Sequence, residues 1–259
     1  MTNALTVLIT GGADGIGRVT AQRFIDSGHR VHVCDVNQEA VAQLSNDGSG
    51  ITGSVGDVSS VADVERVFAE LEQTYGGLDV LVNNAGIAGP TAPAEAIGTE
   101  DWDRAISVSL SGQFYCLRRA IPMLRASEYG SIVNISSNAG LFGFPLRLPY
   151  AASKWALIGM TKTLAMELGP EGIRVNAICP GSVAGPRIDG VIERDAGARG
   201  VAPEAIRKAY ERQSSLRCFV EAKDVAEMVY FLTSPLGAKI SGQAIGVDGH
   251  TESLSNGLE

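Results

Sequence analysis

Short runs of aliphatic and β-branched residues alternate along this chain with longer stretches whose apolar positions recur every three to four residues. Leu5 to Thr10 (LTVLIT), Arg30 to Asp35 (RVHVCD), Ile51 to Val55, LDVLV at 78–82, SIVNI at 131–135, RVNAIC at 174–179 and QAIGV at 243–247 read as strands. Between them, helical spacing predicts helices over Gly15 to Ser27, after Asn37, over VADVERVFAELEQTY at 61–75, over most of Thr99 to Arg125, over Tyr150 to Leu168 and over Val220 to Thr233. Asn37 and Ser60 sit where N-caps belong, and Gly28 and Gly76-Gly77 where helices stop. Pro122 is expected to end or kink its helix. Residues 181–219 show no clean period and carry many Gly and Arg, which predicts a functional lid rather than a linker.

Strand–helix alternation implies parallel strands joined by right-handed crossovers, with helices on both faces. No compositional break or internal repeat divides residues 1–259, so the expectation is one α/β domain, a single doubly wound parallel sheet that includes its lid. A formal charge of -8 argues against a nucleic-acid partner, which needs clustered Lys and Arg. No apolar run reaches the ~18 residues that cross a bilayer, and MTNALTVLIT has no secretory pattern, so a cytoplasmic location is expected. Cys34, Cys116, Cys179 and Cys218 lie far apart with no CxxC spacing, which predicts neither a metal site nor a disulfide framework. Leu258-Glu259 reads as a vector remnant.

Chemistry enters at TGGADGIG, residues 10–17, between the first strand and the first helix. Amides at a helix N-terminus form an anion site, and Gly11, Gly15 and Gly17 allow a tight turn with close approach of a pyrophosphate. In that context the glycines predict the dinucleotide site of a Rossmann fold rather than a plain turn. Asp35 closes the second strand, where a carboxylate accepts from adenosine ribose hydroxyls and repels a 2′-phosphate. Asp14 adds negative charge and Val36, not Arg, follows Asp35, so NAD is favoured over NADP. The competing reading of Asp35 is a helix cap at a strand end.

Tyr150 and Lys154 in LPYAASKWALIGM stand at i and i+4, on one helix face. A phenol of pKa about 10 is too weak an acid for base catalysis at neutral pH; a neighbouring ammonium lowers it by ~1–3 units. Tyr150 then qualifies as general base for alcohol oxidation, or general acid for carbonyl reduction. Such a pair alone is common on solvated helices.

TGGADGIG, NNAG at 83–86, Ser137 thirteen residues before Tyr-x-x-x-Lys, and PG at 180–181 together resemble the short-chain dehydrogenase/reductase family over nearly the whole chain. The resemblance implies that Gly11, Asp14, Gly15, Ile16 and Gly17 line the cofactor's pyrophosphate and ribose, and that Asp57 and Val58 flank its adenine. It places Asn83, Ala85 and Gly86 along a ribose, and Pro180, Gly181 and Val183 around the nicotinamide. Lys154 would also bind the nicotinamide ribose, and Ser137, in preference to its neighbour Ser136, would hydrogen-bond the substrate oxygen. A homodimer or homotetramer without metal is expected.

Three positions depart from that pattern. Ser109 stands where the family carries Asn, so it either holds a relay water or bonds back to its own helix carbonyl. Gly185 replaces a Thr that contacts the cofactor, and His250 ends VDGH where VDGG is usual, which reads as a surface or subunit contact. Arg147 and Arg187 suit an anionic substrate group; the competing reading is solvated lid arginines. The expected activity is NAD-dependent interconversion of a secondary alcohol (polyol, hydroxy acid or cyclic alcohol) with its ketone. A 3-oxoacyl carrier-protein reductase and a non-catalytic NAD-binding sensor are the alternatives.

Overall fold

The computed structural model describes residues 4–254; Leu258 and Glu259 lie outside the described residues. Seven parallel strands form one sheet in the order β3-β2-β1-β4-β5-β6-β7. The strands are β1 (Thr6–Thr10), β2 (Arg30–Asp35), β3 (Thr52–Val55), β4 (Val80–Asn83), β5 (Ser131–Ile135), β6 (Arg174–Pro180) and β7 (Ala244–Val247). Helices α1 (Gly15–Asp26), α2 (Gln38–Asn46), α3 (Val61–Tyr75), α4 (Thr99–Ile106), α5 (Gly112–Arg125), α6 (Leu148–Leu168), α7 (Pro186–Arg199), α8 (Pro203–Arg212) and α9 (Ala222–Thr233) complete the chain.

Helices cover both faces of the sheet, so its central strands β1, β4 and β5 are buried at every position and not at alternate ones. Val7 and Ile9 of β1 join Phe24, Val31, Val33, Val229 and Leu232 on one side. Leu8 between them joins Phe68, Leu71, Leu81, Leu117 and Ile132 on the other, as the period-2 pleat requires. Asn37 caps α2 and Ser60 caps α3 through their side chains, and Gly76 ends α3 with φ 77.

Two expectations need correction. Residues 181–219 are largely helical: α7 and α8 each begin with proline at the first helical position, where the missing N–H costs nothing. Their weak amphipathic signal reflects a small separate core, in which Val191, Ile192, Ala196, Ile206 and Tyr210 pack with Phe144 and Ile188. Pro122 does not end its helix, since α5 continues to Arg125, and so near the C-terminus its ring removes only one ladder bond. The break falls earlier, in a π-helical turn at Ser107–Ser111. There Gly112 presses on Val58, and a Cβ would lie 2.7 Å from the valine methyl.

The sheet reverses its strand order between β1 and β4, so a crevice opens beyond their C-terminal ends. Among the described residues no helix is long and apolar enough to cross a membrane.

Candidate active site

A cavity of about 350 Å³ fills that crevice. It runs from Gly11, Asp14, Gly15 and Ile16, past Asn84 to Gly86, to Ser137, Tyr150 and Lys154, and then to Pro180 to Ile188 under α7. A larger cavity, about 520 Å³, lies at the opposite ends of the strands around Leu5, Gly130 and Arg174 and contains none of the predicted catalytic side chains.

The glycine loop is held by the sheet beside it. Gly11, at φ 60, donates its N–H to the Cys34 carbonyl at 2.7 Å. At Gly17 a Cβ would lie 2.1 Å from the Gly11 carbonyl oxygen, so only glycine lets α1 start this close to the turn. Gly15, at φ 53, has open space where a side chain would be. Asp14 caps α1 by accepting from the Gly15 N–H at 2.7 Å. Bare backbone at a helix N-terminus facing a cavity fits the pyrophosphate of a nicotinamide dinucleotide.

Asp35 is not the cap of α2, a place that Asn37 takes. One carboxylate oxygen accepts the Ala13 N–H of the glycine loop at 3.1 Å and the other accepts the Asn37 N–H at 3.1 Å. Each oxygen keeps a lone pair for a ribose hydroxyl. Asp35, Asp57 and Val58 lie outside the cavity lining. Asp57 accepts from Ser59 and Arg104, while Val58 is buried against Gly112.

The resemblance placed Asn83 on the cofactor, and here the structure differs. Asn83 is fully buried, and its amide opens a chain that donates to Asn134 (3.1 Å), which donates to Thr161 (2.9 Å), which donates to the Leu157 carbonyl. This chain ties β4 and β5 to α6. Its neighbour Asn84 lines the cavity and donates to the Thr10 and Gly11 carbonyls at 3.0 and 2.8 Å. The strand alternation decides between them, since adjacent side chains point to opposite faces.

Ser137, Tyr150 and Lys154 meet on one wall of the cavity. Lys154 is buried, 5.7 Å from the Tyr150 ring centroid, and its Nζ donates to the Ile135 carbonyl at 2.8 Å. Ser136 is occupied elsewhere: its hydroxyl donates to the Lys154 carbonyl at 2.8 Å, which leaves Ser137 as the hydroxyl beside the phenol. The single Ser137 proton can go to Asn138 Oδ1 (3.1 Å) or to Tyr150. Burial pushes the Tyr150 phenol up, but Lys154, Arg187, the Ser137 hydrogen bond and Arg147 together bring it below the ordinary tyrosine value. Lys154 is lowered, by burial above all, with the Tyr150 charge opposing.

Ser109 does not bond back to its own helix carbonyl: its Oγ accepts the Ile87 N–H at 3.2 Å, across the chain from the π-helical turn. A methyl built on Gly86 would touch Ser109 Oγ and Lys154 Nζ at 3.5 Å each, so the two polar atoms flank one gap. Gly185 lines the cavity, and its φ of 134 favours glycine where α7 begins. His250 is exposed, shares a hydrogen bond with Ser215 and is not in the cavity lining. Arg147 and Arg187 both line the cavity. Arg187 is exposed and Arg147 is buried, so the solvated reading fails for Arg147. Tyr210, Gln213 and Phe144 also line it; no sequence motif marked them, and the first two reach it through the docking of α8.

The parallel sheet, glycine loop and Ser-Tyr-Lys wall define an oxidoreductase of the nicotinamide-dinucleotide class. The family model described as enoyl-(acyl carrier protein) reductase matches residues 11–250, and the chain belongs to the short-chain dehydrogenase/reductase family. It is 38% identical to a 3-oxoacyl-[acyl-carrier-protein] reductase of Thermotoga maritima, over 93% of this chain and 95% of that protein. Among solved structures it resembles an actinorhodin polyketide ketoreductase with NADPH (TM-score 0.89, 34% identity, 96% and 97% of the two chains). It also resembles an NAD+-bound xylitol dehydrogenase (TM-score 0.89, 29% identity, 95% and 98%).

Proposed function

We propose that the chain interconverts a secondary alcohol and its ketone with NAD as the preferred cofactor, Tyr150 serving as the proton donor and acceptor. What supports this most is the Tyr150 phenol facing the Lys154 ammonium and the Ser137 hydroxyl on the wall of the same cavity that holds the glycine loop. The cofactor, when bound, supplies the hydride acceptor for oxidation and the hydride donor for reduction. Gly11, Asp14, Gly15 and Ile16 would hold its pyrophosphate end, Asp35 its adenosine ribose, and Pro180, Gly181 and Val183 its nicotinamide end. Ser137 donates a hydrogen bond to the substrate oxygen and fixes it beside the phenol. During oxidation Tyr150 takes the hydroxyl proton as the carbon–hydrogen bond breaks, and during reduction it returns that proton to the ketone oxygen. Lys154, anchored by the Ile135 carbonyl, stabilises the phenolate. Ser109 and Lys154 would hold a water in the gap beside Gly86 and pass the proton outward.

Asp35 supports NAD, since a carboxylate at the end of the second strand repels a 2′-phosphate. The 38% identity to a 3-oxoacyl carrier-protein reductase favours a second reading, a ketoreductase for carrier-bound substrates. The work is cytoplasmic, in keeping with free cysteines at Cys34, Cys116, Cys179 and Cys218, and the active form is a homodimer or homotetramer.

Steady-state oxidation of polyols, hydroxy acids and cyclic alcohols with NAD and NADP tests this. Tyr150→Phe should cost ~10²–10⁴-fold in kcat with cofactor binding retained, and Asp35→Ala should shift preference toward NADP. Full turnover in Tyr150→Phe would remove the proposed acid–base group, and NADPH-only ketone reduction would favour the carrier-protein reading.

A further inference from the structure

Arg147 is an unusual residue to bury. It is 4% exposed, yet among the described residues no carboxylate forms an ion pair with it. Its Nη2 donates to the Ala88 carbonyl at 2.8 Å, and its buried Nε has no partner. The guanidinium lies 5.4 Å from the Phe144 ring centroid and 5.3 Å from that of Tyr150, and the side chain lines the cavity. A desolvated cation without an anion is costly.

Its place on the backbone adds to that cost. Arg147 is the N-cap of the 21-residue helix α6, makes no side-chain capping bond, and has no acidic residue in the turn that follows. The helix dipole is positive there and repels a cation. Leu146 before it holds φ 64, a left-handed conformation that a leucine adopts only under constraint from its surroundings.

A second guanidinium lines the same cavity. Arg187 stands in the first turn of α7, another helix N-terminus. The acidic residue of that turn, Asp189, is paired with Arg207. The remaining lining at this end is Phe144, Ile188, Val191, Tyr210 and Gln213; the carboxylate in the lining, Asp14, sits at the glycine loop. Tyr150 as phenolate is already balanced by Lys154, so two guanidinium charges and two helix N-termini remain without a negative group.

We propose that the substrate is a small hydroxy or keto acid, bearing a carboxylate or sulfonate a few bonds from its reacting carbon, and that Arg147 and Arg187 clamp this anion. The proposal rests on the alcohol–ketone reading above and narrows it to one substrate class. Arg147 reaches the Tyr150 ring itself, so the anion and the reacting carbon must belong to one short molecule. A neutral acyl thioester on a carrier would leave Arg147 unpaired. Guanidinium matches the paired oxygens of carboxylate and sulfonate.

The test compares 3-hydroxybutyrate and 3-hydroxybutane-1-sulfonate with the uncharged 3-hydroxybutyramide, using NAD and the intact protein. The wild type should favour one or both anions. Arg147→Gln should lose about 10- to 100-fold in kcat/KM on the anions, the worth of a charged hydrogen bond, beyond the smaller loss on the amide that its lost pull on the Tyr150 phenol causes. Arg147→Lys should recover part of the loss. NADH binding, followed by its fluorescence, confirms that each variant is folded. Should Arg147→Gln not fold, the exposed Arg187→Gln carries the test and should raise KM for the anions, not for the amide. Equal use of amide and anions by the wild type, or equal loss on both in Arg147→Gln, overturns the clamp and leaves the dehydrogenase reading standing. A rise in KM for NAD alone in Arg187→Gln overturns its part, reassigning it to the cofactor phosphates. NADH binding without turnover of any alcohol or ketone, these or those named above, overturns both.

Discussion

Tyr150 shows how one side chain's chemistry is set by its neighbours. Burial alone would make the phenol a weaker acid, and Lys154, Arg187, Ser137 and Arg147 reverse that. A lowered pKa means that the phenolate persists to lower pH than for a free tyrosine. Alcohol oxidation should therefore rise with pH through an ionisation below the ordinary tyrosine range, and ketone reduction should fall through it. Lys154→Met should move that ionisation up, read from kcat/KM against pH; an unmoved profile would mean that another group titrates. The i, i+4 spacing made this pair legible in sequence. The Ile135 carbonyl that anchors Lys154 was not, because it comes from a strand 19 residues earlier in the chain. Nor was the exchange of Asn83 for Asn84, because adjacent amides look alike until the strand's two faces are assigned.

Elements depend on similar pairings, and the β2–β3 edge carries one. His32 is buried between Thr52 and Ser54 of β3, its two ring nitrogens sharing hydrogen bonds with their hydroxyls at 2.8 and 2.7 Å. Burial lowers its pKa to about 4 against a partial opposing effect of Glu70. The unfolded chain therefore binds the proton first as pH falls, so this contribution is complete above an unfolded pKa of about 6.5 and is lost between there and about 4. Its size is on the order of 2–3 kcal/mol. His32→Asn should flatten the fall of Tm between pH 7 and pH 5; an unchanged slope would mean that other groups govern acid unfolding. Sequence marked both strands but assigned this histidine no role, since its partners lie about 20 residues away. The π-helical turn was equally hidden: SVSL has ordinary helical periodicity, and only packing of Gly112 on Val58 and the reach of Ser109 to Ile87 reveal the break.

At the scale of the molecule, three helices carry exposed apolar groups. Trp102 on α4, Phe114 on α5, and Leu148, Trp155 and Met166 on α6 are all large, hydrophobic and exposed, Met166 at 81%. Exposed apolar groups of this size suit burial against a second copy. The homodimer or homotetramer proposed above would use these helices. Phe114→Glu with Trp155→Glu should lower the sedimenting mass by at least one association step, measured by analytical ultracentrifugation. An unchanged mass would place any interface elsewhere. Because α6 also carries Tyr150 and Lys154, dissociation should lower activity as well.

The sequence by itself determined what depends on near neighbours: strand and helix periods, the caps at Asn37 and Ser60, the glycine turn, and the one-turn spacing of Tyr150 and Lys154. These follow from local sterics and hydrogen bonding, which act within a few residues. Tertiary structure alone decided which of two adjacent asparagines faces the cavity, that residues 181–219 form two helices over a core of their own, and that Arg147 is buried without an anion. Those outcomes depend on side chains that meet only when distant strands and helices pack, and no local pattern encodes them.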